Sequence, residues 1–406
     1  MSNHSPQINR TRFLQTLAEL SEIGRQPNGA VHRVAYSHAD LGARKWLNDR
    51  LCAIGLEVQV DAAGNSMAIY PGNEALPPIA IGSHSDTVPY GGAYDGSLGV
   101  VAALETLEAL HEAKVQPRHP IVWLNFAAEE ATMGGGTTGS QAMAGNFNMA
   151  MLDKAAWDGQ KVRTHLSNAG LEPEKILDAQ RVKGEFAAFL ELHIEQSDRL
   201  EKTGQQIAIA DGFVGIRRYG VRFEGRANHA GTTPMARRQD ALVMAAPLIH
   251  FVRDVAIELG IVGTIGDFNV YPGAPNVIPE RVDLVVEIRG TNAVILDQAQ
   301  SIIEKEVGKL GGLFDPIVIK PPVLTDPLIR EAIDAACQKL ALKTMTMSSG
   351  AGHDGMNMAL LCPQGIFFVP SKDGISHSKE EYTSPEDCFN GANVMLNTLL
   401  ILDQRL

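Results

Sequence analysis

At 406 residues the chain is long enough for two domains of ordinary size and a sizeable core. With 45% hydrophobic and 20% charged residues it has the composition of a globular protein. A net charge of −12 and a pI near 5.5 argue against a nucleic-acid or anionic-membrane surface, whose phosphates would be repelled.

Apolar residues at helical spacing (Phe13, Leu14, Leu17, Leu20, Ile23) predict a first helix over 8–23. A second runs from Asp40, as N-cap, to Gly55. "LEVQVDAAGNSMAIYPG" reads as two strands turned at Gly64-Asn65, and "PPIAIGSHSDTV" as a buried strand ending near His84. The small-residue helix "GVVAALETLEALHEA" follows, with Asp95 at its start, and then the apolar strand "PIVWLNFAAEE". Strand, helix, strand in this order implies a doubly wound α/β layer, where ligands sit beyond the carboxyl ends of the strands. His84 and Glu129-Glu130 fall at two such ends. From Phe213 to about 322 the order becomes β-α-β-β-α-β, which predicts an inserted ferredoxin-like domain. The first layer then resumes, giving expected domains of 1–212 with 323–406, and 213–322. "GGGTTG" is rich in glycine but lacks the acidic partner of a dinucleotide fingerprint.

The four cysteines (Cys52, Cys337, Cys362, Cys388) are far apart and form no Cys-X-X-Cys pair. Free thiols in a reducing compartment are expected, not disulfides or a thiolate zinc site. "MSNHSPQINRTRF" lacks a signal-peptide core, and no apolar run nears the ~20 residues of a membrane span. A cytoplasmic protein with no membrane partner is expected.

Alternation places His84 and Asp86 on one strand face, which suits a metal-ligand imidazole oriented by a carboxylate. Asp95 at a helix start is favourable whatever its role. Glu129 and Glu130 repel each other and must face different ways, one toward a metal and one toward a water as base. "ELHIEQ" puts Glu191, His193 and Glu195 on one face, too acidic to be simply packed in the interior. His377 lies in the polar loop "DGISHSKEEYTS". Singly, each is as well explained by a capped helix, a solvated loop or a core histidine. Jointly they suit two borderline ions such as Zn²⁺, which would activate water at neutral pH and polarise a carbonyl.

"GSHSDTVPYGGAYDGSLGV", "FAAEE", "ELHIEQ", "NHAGTTPM", "APNVIP" and "SGAGHD", in this order, resemble the amidase/hydantoinase/carbamoylase branch of the dinuclear-zinc aminoacylase and carboxypeptidase superfamily. The resemblance runs from "RVAYSHADLGARKWL" to "ISHSKEEYT". It implies a metallopeptidase-like catalytic domain and a second domain serving as lid and dimer interface. By resemblance, His84 and His193 hold one divalent ion, Glu130 and His377 the other, and Asp95 bridges them; zinc is favoured, with manganese, cobalt or nickel as possible occupants. Glu129 resembles the general base. His229 resembles a residue that reaches the partner subunit's site and stabilises an oxyanion. Asn276 and Arg289 match positions for the substrate's amide and carboxylate, with Gln196 and Arg218 as weaker contacts. A guanidinium that grips a carboxylate with two bonds makes chemical sense at Arg289. His353 matches a pocket-lining position without catalytic role.

Four positions depart from the pattern: "ATMGGGTTGS" after Glu130, Glu280 for the usual Gly, Glu287 for the more frequent Asp, and "GHDG" for "GHDA". None removes a ligand or the base. The expected activity is cleavage of a linear C–N bond in an N-carbamoyl-L-amino acid or related ureido acid. Alternatives are an allantoate amidohydrolase, an N-acyl-amino acid hydrolase or dipeptidase, and a non-catalytic metal-binding protein that kept the fold.

Overall fold

A computed structural model describes residues 5–406. The first helix spans Arg10–Glu22, its Asn9 side chain accepting from the Arg12 amide. The second spans His38–Ala53. Its N-cap is Ser37, not Asp40 as expected. Ser37 Oγ accepts from the Asp40 amide at 3.2 Å, and the Asp40 carboxylate reaches back to the Tyr36 amide at 2.8 Å. This reciprocal exchange satisfies two backbone donors that a helix start leaves open.

In chain order the strands are β1 (Val58–Val60), β2 (Ser66–Tyr70), β3 (Ile79–His84), β4 (Ile121–Phe126), β5 (Ala188–Ile194), β6 (Ile207–Phe213), β7 (Gly215–Glu224), β8 (Val262–Tyr271), β9 (Arg281–Gly290), β10 (Gly312–Lys320), β11 (Val323–Leu324), β12 (Thr344–Ser349) and β13 (Gln364–Val369). Packing divides the chain into two units. Of the described residues, one comprises 5–211, 325–347 and 352–406, and the other 212–324 with 348–351. Residues 348–351, which sequence left with the first region, pack with the second.

Among the described residues one sheet has nine strands, in the order β1-β2-β4-β3-β5-β13-β6-β11, with β12 also against β6. It is mixed, more so than the doubly wound expectation. The pairs β3/β4, β3/β5 and β5/β13 are parallel, while β1/β2, β2/β4, β13/β6 and β6/β11 are antiparallel. The parallel centre aims the carboxyl ends of β3 and β5 the same way, and β4 with them. β3, β4 and β5 are buried on both faces, which is why they read as apolar runs without alternation. Ile79, Ile81 and Trp123 face one core with helices Ser97–Ala113 and Pro385–Arg405, whereas Ala80, Leu124 and Phe189 face another. The helix Ser97–Ala113 is buried from Ser97 to Leu110, and its small residues permit this. A Cβ on Gly99 would come 2.3 Å from the Leu192 carbonyl oxygen.

The second unit has an antiparallel sheet in the order β10-β7-β9-β8, with helices Ala241–Leu259 and Ala293–Lys309 completing a β-α-β-β-α-β order. The odd-numbered residues of β7 and the even-numbered residues of β9 from Val282 to Ile288 are buried, and Val221, Phe223, Val282 and Leu284 pack with the helices. The opposite face carries Arg218, Glu287 and Arg289. Among the described residues no helix is long and apolar enough to cross a membrane.

Candidate metal centre

Three strand ends deliver the first donors. His84 is the last residue of β3, His193 lies near the end of β5, and Glu129 and Glu130 follow β4 through Ala128, held at φ 51°. That left-handed residue turns the chain sharply enough to send the two acids to different partners. Asp95 lies just before the helix Ser97–Ala113, but it does not cap it. Gly96 is the N-cap, at φ 61°, and no side chain caps the helix. The Asp95 carboxylate points instead into a ring of imidazoles. Its Oδ1 lies 3.4 Å from His84 Nε2 and 3.2 Å from His193 Nε2, and its Oδ2 lies 3.4 Å from His377 Nε2. His377 Nε2 is also 3.4 Å from Glu130 Oε1, and Glu129 Oε2 is 3.7 Å from His84 Nε2.

The donors thus form two triads, His84–Asp95–His193 and Asp95–Glu130–His377, each compact enough for one ion and sharing Asp95. The fit is supported by two orphans. His84 Nε2 and Glu130 Oε1 are buried without a hydrogen-bond partner, which costs free energy unless something else binds there. Two imidazoles and a carboxylate on one side, and two carboxylates and an imidazole on the other, suit borderline divalent cations.

Electrostatics agree. Burial, and then repulsion from Asp95, push Glu130 up to about 8 despite His84 and His377. Burial also raises Glu129 well above the usual carboxylate range, against the pull of His84. Burial would raise Asp95 too, but His193, His377 and His84 hold it well below. His377 is pushed up to about 9, chiefly by its contact with Asp95. So many acids in one buried place is the condition under which a cation is favoured.

Residues 80–401 match the peptidase family M20/M25/M40. The chain belongs to this family. Two similar relatives are the N-carbamoyl-L-amino acid amidohydrolase of Geobacillus stearothermophilus, 36% identical with 98% of this chain and 99% of that one covered, and the ureidoglycolate hydrolase of Oryza sativa subsp. japonica, 37% identical with 93% and 81% covered. Among solved structures, the hydantoinase/carbamoylase family amidase of Burkholderia multivorans superposes with a TM-score of 0.88 at 30% identity, covering 98% of this chain and 99% of that one. The branch resemblance drawn from the motifs is therefore borne out.

For this M20 chain, two orienting contacts differ from expectation. His84 Nδ1 lies 3.1 Å from the main-chain oxygen of Asp86 but 3.6 Å from its carboxylate. The carboxylate instead accepts from the Glu129 and Glu130 amides at 3.3 and 3.2 Å, so Asp86 fixes the acid pair as well as the imidazole. The face of β5 bearing Glu191 and His193 is fully interior, contrary to the reading of an unpacked acidic face. Glu191 accepts from Ser83 Oγ at 2.7 Å, His193 packs edge-on against His353 at 4.5 Å, and Glu195 accepts from the Arg199 and Leu200 amides. Gln196, implied as a substrate contact, donates through Nε2 to Asp95 Oδ2 at 2.7 Å.

His229, Arg218, Asn276 and Arg289 all lie in the second unit. His229 is exposed, and its Nδ1 accepts from the Gly231 amide at 3.0 Å, leaving Nε2 to carry the proton of a neutral ring. Asn276 is exposed, with its carbonyl accepting from the Ala230 amide. Arg218 and Arg289 both bind Glu287.

Four residues that hold the centre escaped sequence reasoning. Glu381 accepts from the Tyr94 and Asp95 amides, Ser376 Oγ and the His377 amide, tying the loops that carry Asp95 and His377 together. Its one signal was its place four residues after His377. The buried Arg33 guanidinium donates to the Ser85 carbonyl and Ser97 Oγ, at the two ends of the loop bearing Asp95. Arg44 donates to the Asn125 and Phe126 carbonyls just before the acid pair. Asp354 accepts from Ser140 Oγ at 2.5 Å, anchoring the divergent segment. That segment curls back so that the Thr138 and Gly139 amides donate to Ala128 and Ala127.

Proposed function

We propose that this protein hydrolyses the linear C–N bond of an N-carbamoyl-L-amino acid or a related ureido acid. The observation that carries this reading is Asp95, whose two oxygens face two different sets of candidate metal donors, with Glu129 beside them and outside both sets. Two divalent ions, zinc foremost, would supply a Lewis acid for the carbonyl and lower the pKa of water. Glu129 takes a proton from the attacking water and later delivers it to the leaving nitrogen, yielding the amino acid, carbon dioxide and ammonia. Arg289 grips the substrate's carboxylate, Asn276 its amide, and Arg218 and Gln196 are further contacts. The net charge of −12 opposes an anionic substrate at long range, so the attraction is local to these cations. His229 serves as an oxyanion donor to the partner subunit in a cytoplasmic homodimer whose interface is the second unit, which also acts as a lid. The ureidoglycolate hydrolase relatives support a ureido acid as second substrate class. A catalytically silent binding protein would have no reason to keep Glu129.

The test pairs metal analysis with a hydrolysis screen over N-carbamoyl, N-formyl and N-acyl amino acids and allantoate, in Zn²⁺, Mn²⁺ and Co²⁺. Wild-type protein should hold about two ions per chain. Glu129→Gln should keep them and lose at least ~100-fold in kcat. A wild type without divalent metal, or a Glu129→Gln variant of undiminished rate, refutes the reading. Sedimentation of an active monomer would remove the role given to His229.

A further inference from the structure

The open face of the second unit's sheet carries a three-member ion cluster. Arg218 on β7 pairs in register with Glu287 on β9, and Arg289 stands two residues on, on the same face. Arg218 Nε donates to Glu287 Oε2 at 2.8 Å, and its Nη2 reaches the same oxygen. Arg289 Nε and Nη2 each lie 2.7 Å from Oε1, while Nη1 donates to the Gly350 carbonyl at 3.2 Å. Each carboxylate oxygen therefore serves one guanidinium. Glu287 is 19% exposed, against 41% for Arg218 and 36% for Arg289, so the acid lies lower than the two cations. Burial would raise Glu287, but hydrogen bonds from Arg218 and Arg289 hold it below its usual range and keep it ionised at neutral pH. Two arginines and one glutamate leave a single net positive charge.

Resting on the assignment of Arg289 to the substrate carboxylate, we propose that Glu287 determines specificity: it cancels the charge of one arginine, so that the site selects N-carbamoyl amino acids with one carboxylate over those with a second in the side chain. A lone α-carboxylate matches one net positive charge and meets an Arg289 guanidinium already held on its Nε edge by Glu287, with its remaining Nη hydrogens left to offer, so little ordering is needed on binding. A second carboxylate approaching Arg218 meets the fixed charge of Glu287 and cannot displace it, because the acid is tethered to the strand at the two cations it pairs with. Like charges within a few ångströms in a partly desolvated place disfavour the dianion.

The experiment compares N-carbamoyl-L-asparagine with its near-isosteric dianion N-carbamoyl-L-aspartate, using the full-length metal-loaded protein. kcat and KM are measured for wild type, Glu287→Gln, Glu287→Asp and Arg218→Gln. Wild type should prefer the asparagine derivative. Glu287→Gln should shift the ratio of kcat/KM toward the dianion by about tenfold, mainly through KM, the scale of one charge-assisted hydrogen bond. Glu287→Asp should restore the wild-type ratio. Arg218→Gln, which removes a cation and leaves no net charge, should sharpen the preference against the dianion, and serves if Glu287→Gln does not fold. An unchanged ratio in Glu287→Gln at unaltered melting temperature, or a wild type that already prefers the dianion, overturns the role of Glu287 alone. Failure of the wild type to hydrolyse any N-carbamoyl amino acid overturns the parent reading and this proposal with it.

Discussion

Gly96 and Glu381 show how much of the centre depends on residues outside the two candidate donor triads. Gly96 adopts φ 61°, and a Cβ there would lie 2.4 Å from the His84 ring. Gly96→Ala should therefore displace His84, and metal content measured after dialysis should fall while the far-ultraviolet circular dichroism stays native. Glu381 receives four hydrogen bonds from the Asp95 and His377 loops. Glu381→Leu should lower metal affinity by about 10–100-fold, as loss of an outer partner does at other metal sites; competition with a chromophoric chelator measures it. The candidate donors were legible because His, Asp and Glu are chemically conspicuous at strand ends. Arg33 was not, because a lone arginine in "VHRVAY" gives no hint that it will be wholly buried and donate both to the Leu20 and Ile23 carbonyls and to the distant Ser85 carbonyl and Ser97 Oγ.

At the scale of elements, apolar runs and helical spacing were enough to place β1 to β5, the order of the second unit and the long helices, but left β6, β12, β13 and the short helices unread. They did not give the sheet order. β13, last in sequence, lies between β5 and β6, a pairing that no local pattern encodes. The helix Ser97–Ala113 also meets the first helix through charges. Arg12 Nε lies 2.7 Å from Glu105 and 2.8 Å from Glu108, and its Nη1 contacts Glu112, three acids for one cation. Burial, with repulsion from Glu105, raises Glu108 to about 7 against the pull of Arg12. A folded-state value above the unfolded one means the folded chain binds the extra proton, so this group's contribution to stability declines as pH rises from about 4.5 to 7. Glu108→Gln should thus be more stable than wild type at pH 8, with the gap closing toward pH 4.5. Urea denaturation at the two ends of that range checks the sign. Ser37→Ala, which removes the cap of the second helix, should cost about 1 kcal/mol in the same assay.

For the whole molecule, the acids gathered at one end of the large sheet oppose folding until cations offset them. Ions that bind the folded chain alone stabilise it by mass action, about 2.7 kcal/mol at a hundredfold excess over Kd. Addition of Zn²⁺ or Mn²⁺ should raise the melting temperature, and a chelator should reverse the rise. Asp95→Asn, which weakens both donor triads at once, should abolish most of it. Equal thermal shifts in wild type and Asp95→Asn would show that the ions bind elsewhere.

The sequence by itself determined the class of most long elements, a candidate donor set, and through its motifs the family, because periodicity and residue chemistry are local properties. Tertiary structure decided which oxygen of Asp95 faces which imidazole, that Asp86 splits its bonds between backbone amides, and that Arg218 and Arg289 share one carboxylate. Those facts depend on strand register, a left-handed turn at Ala128 and loops fastened by Arg33 and Glu381. Such contacts join residues far apart in the chain, and only the packed core brings them within hydrogen-bond reach.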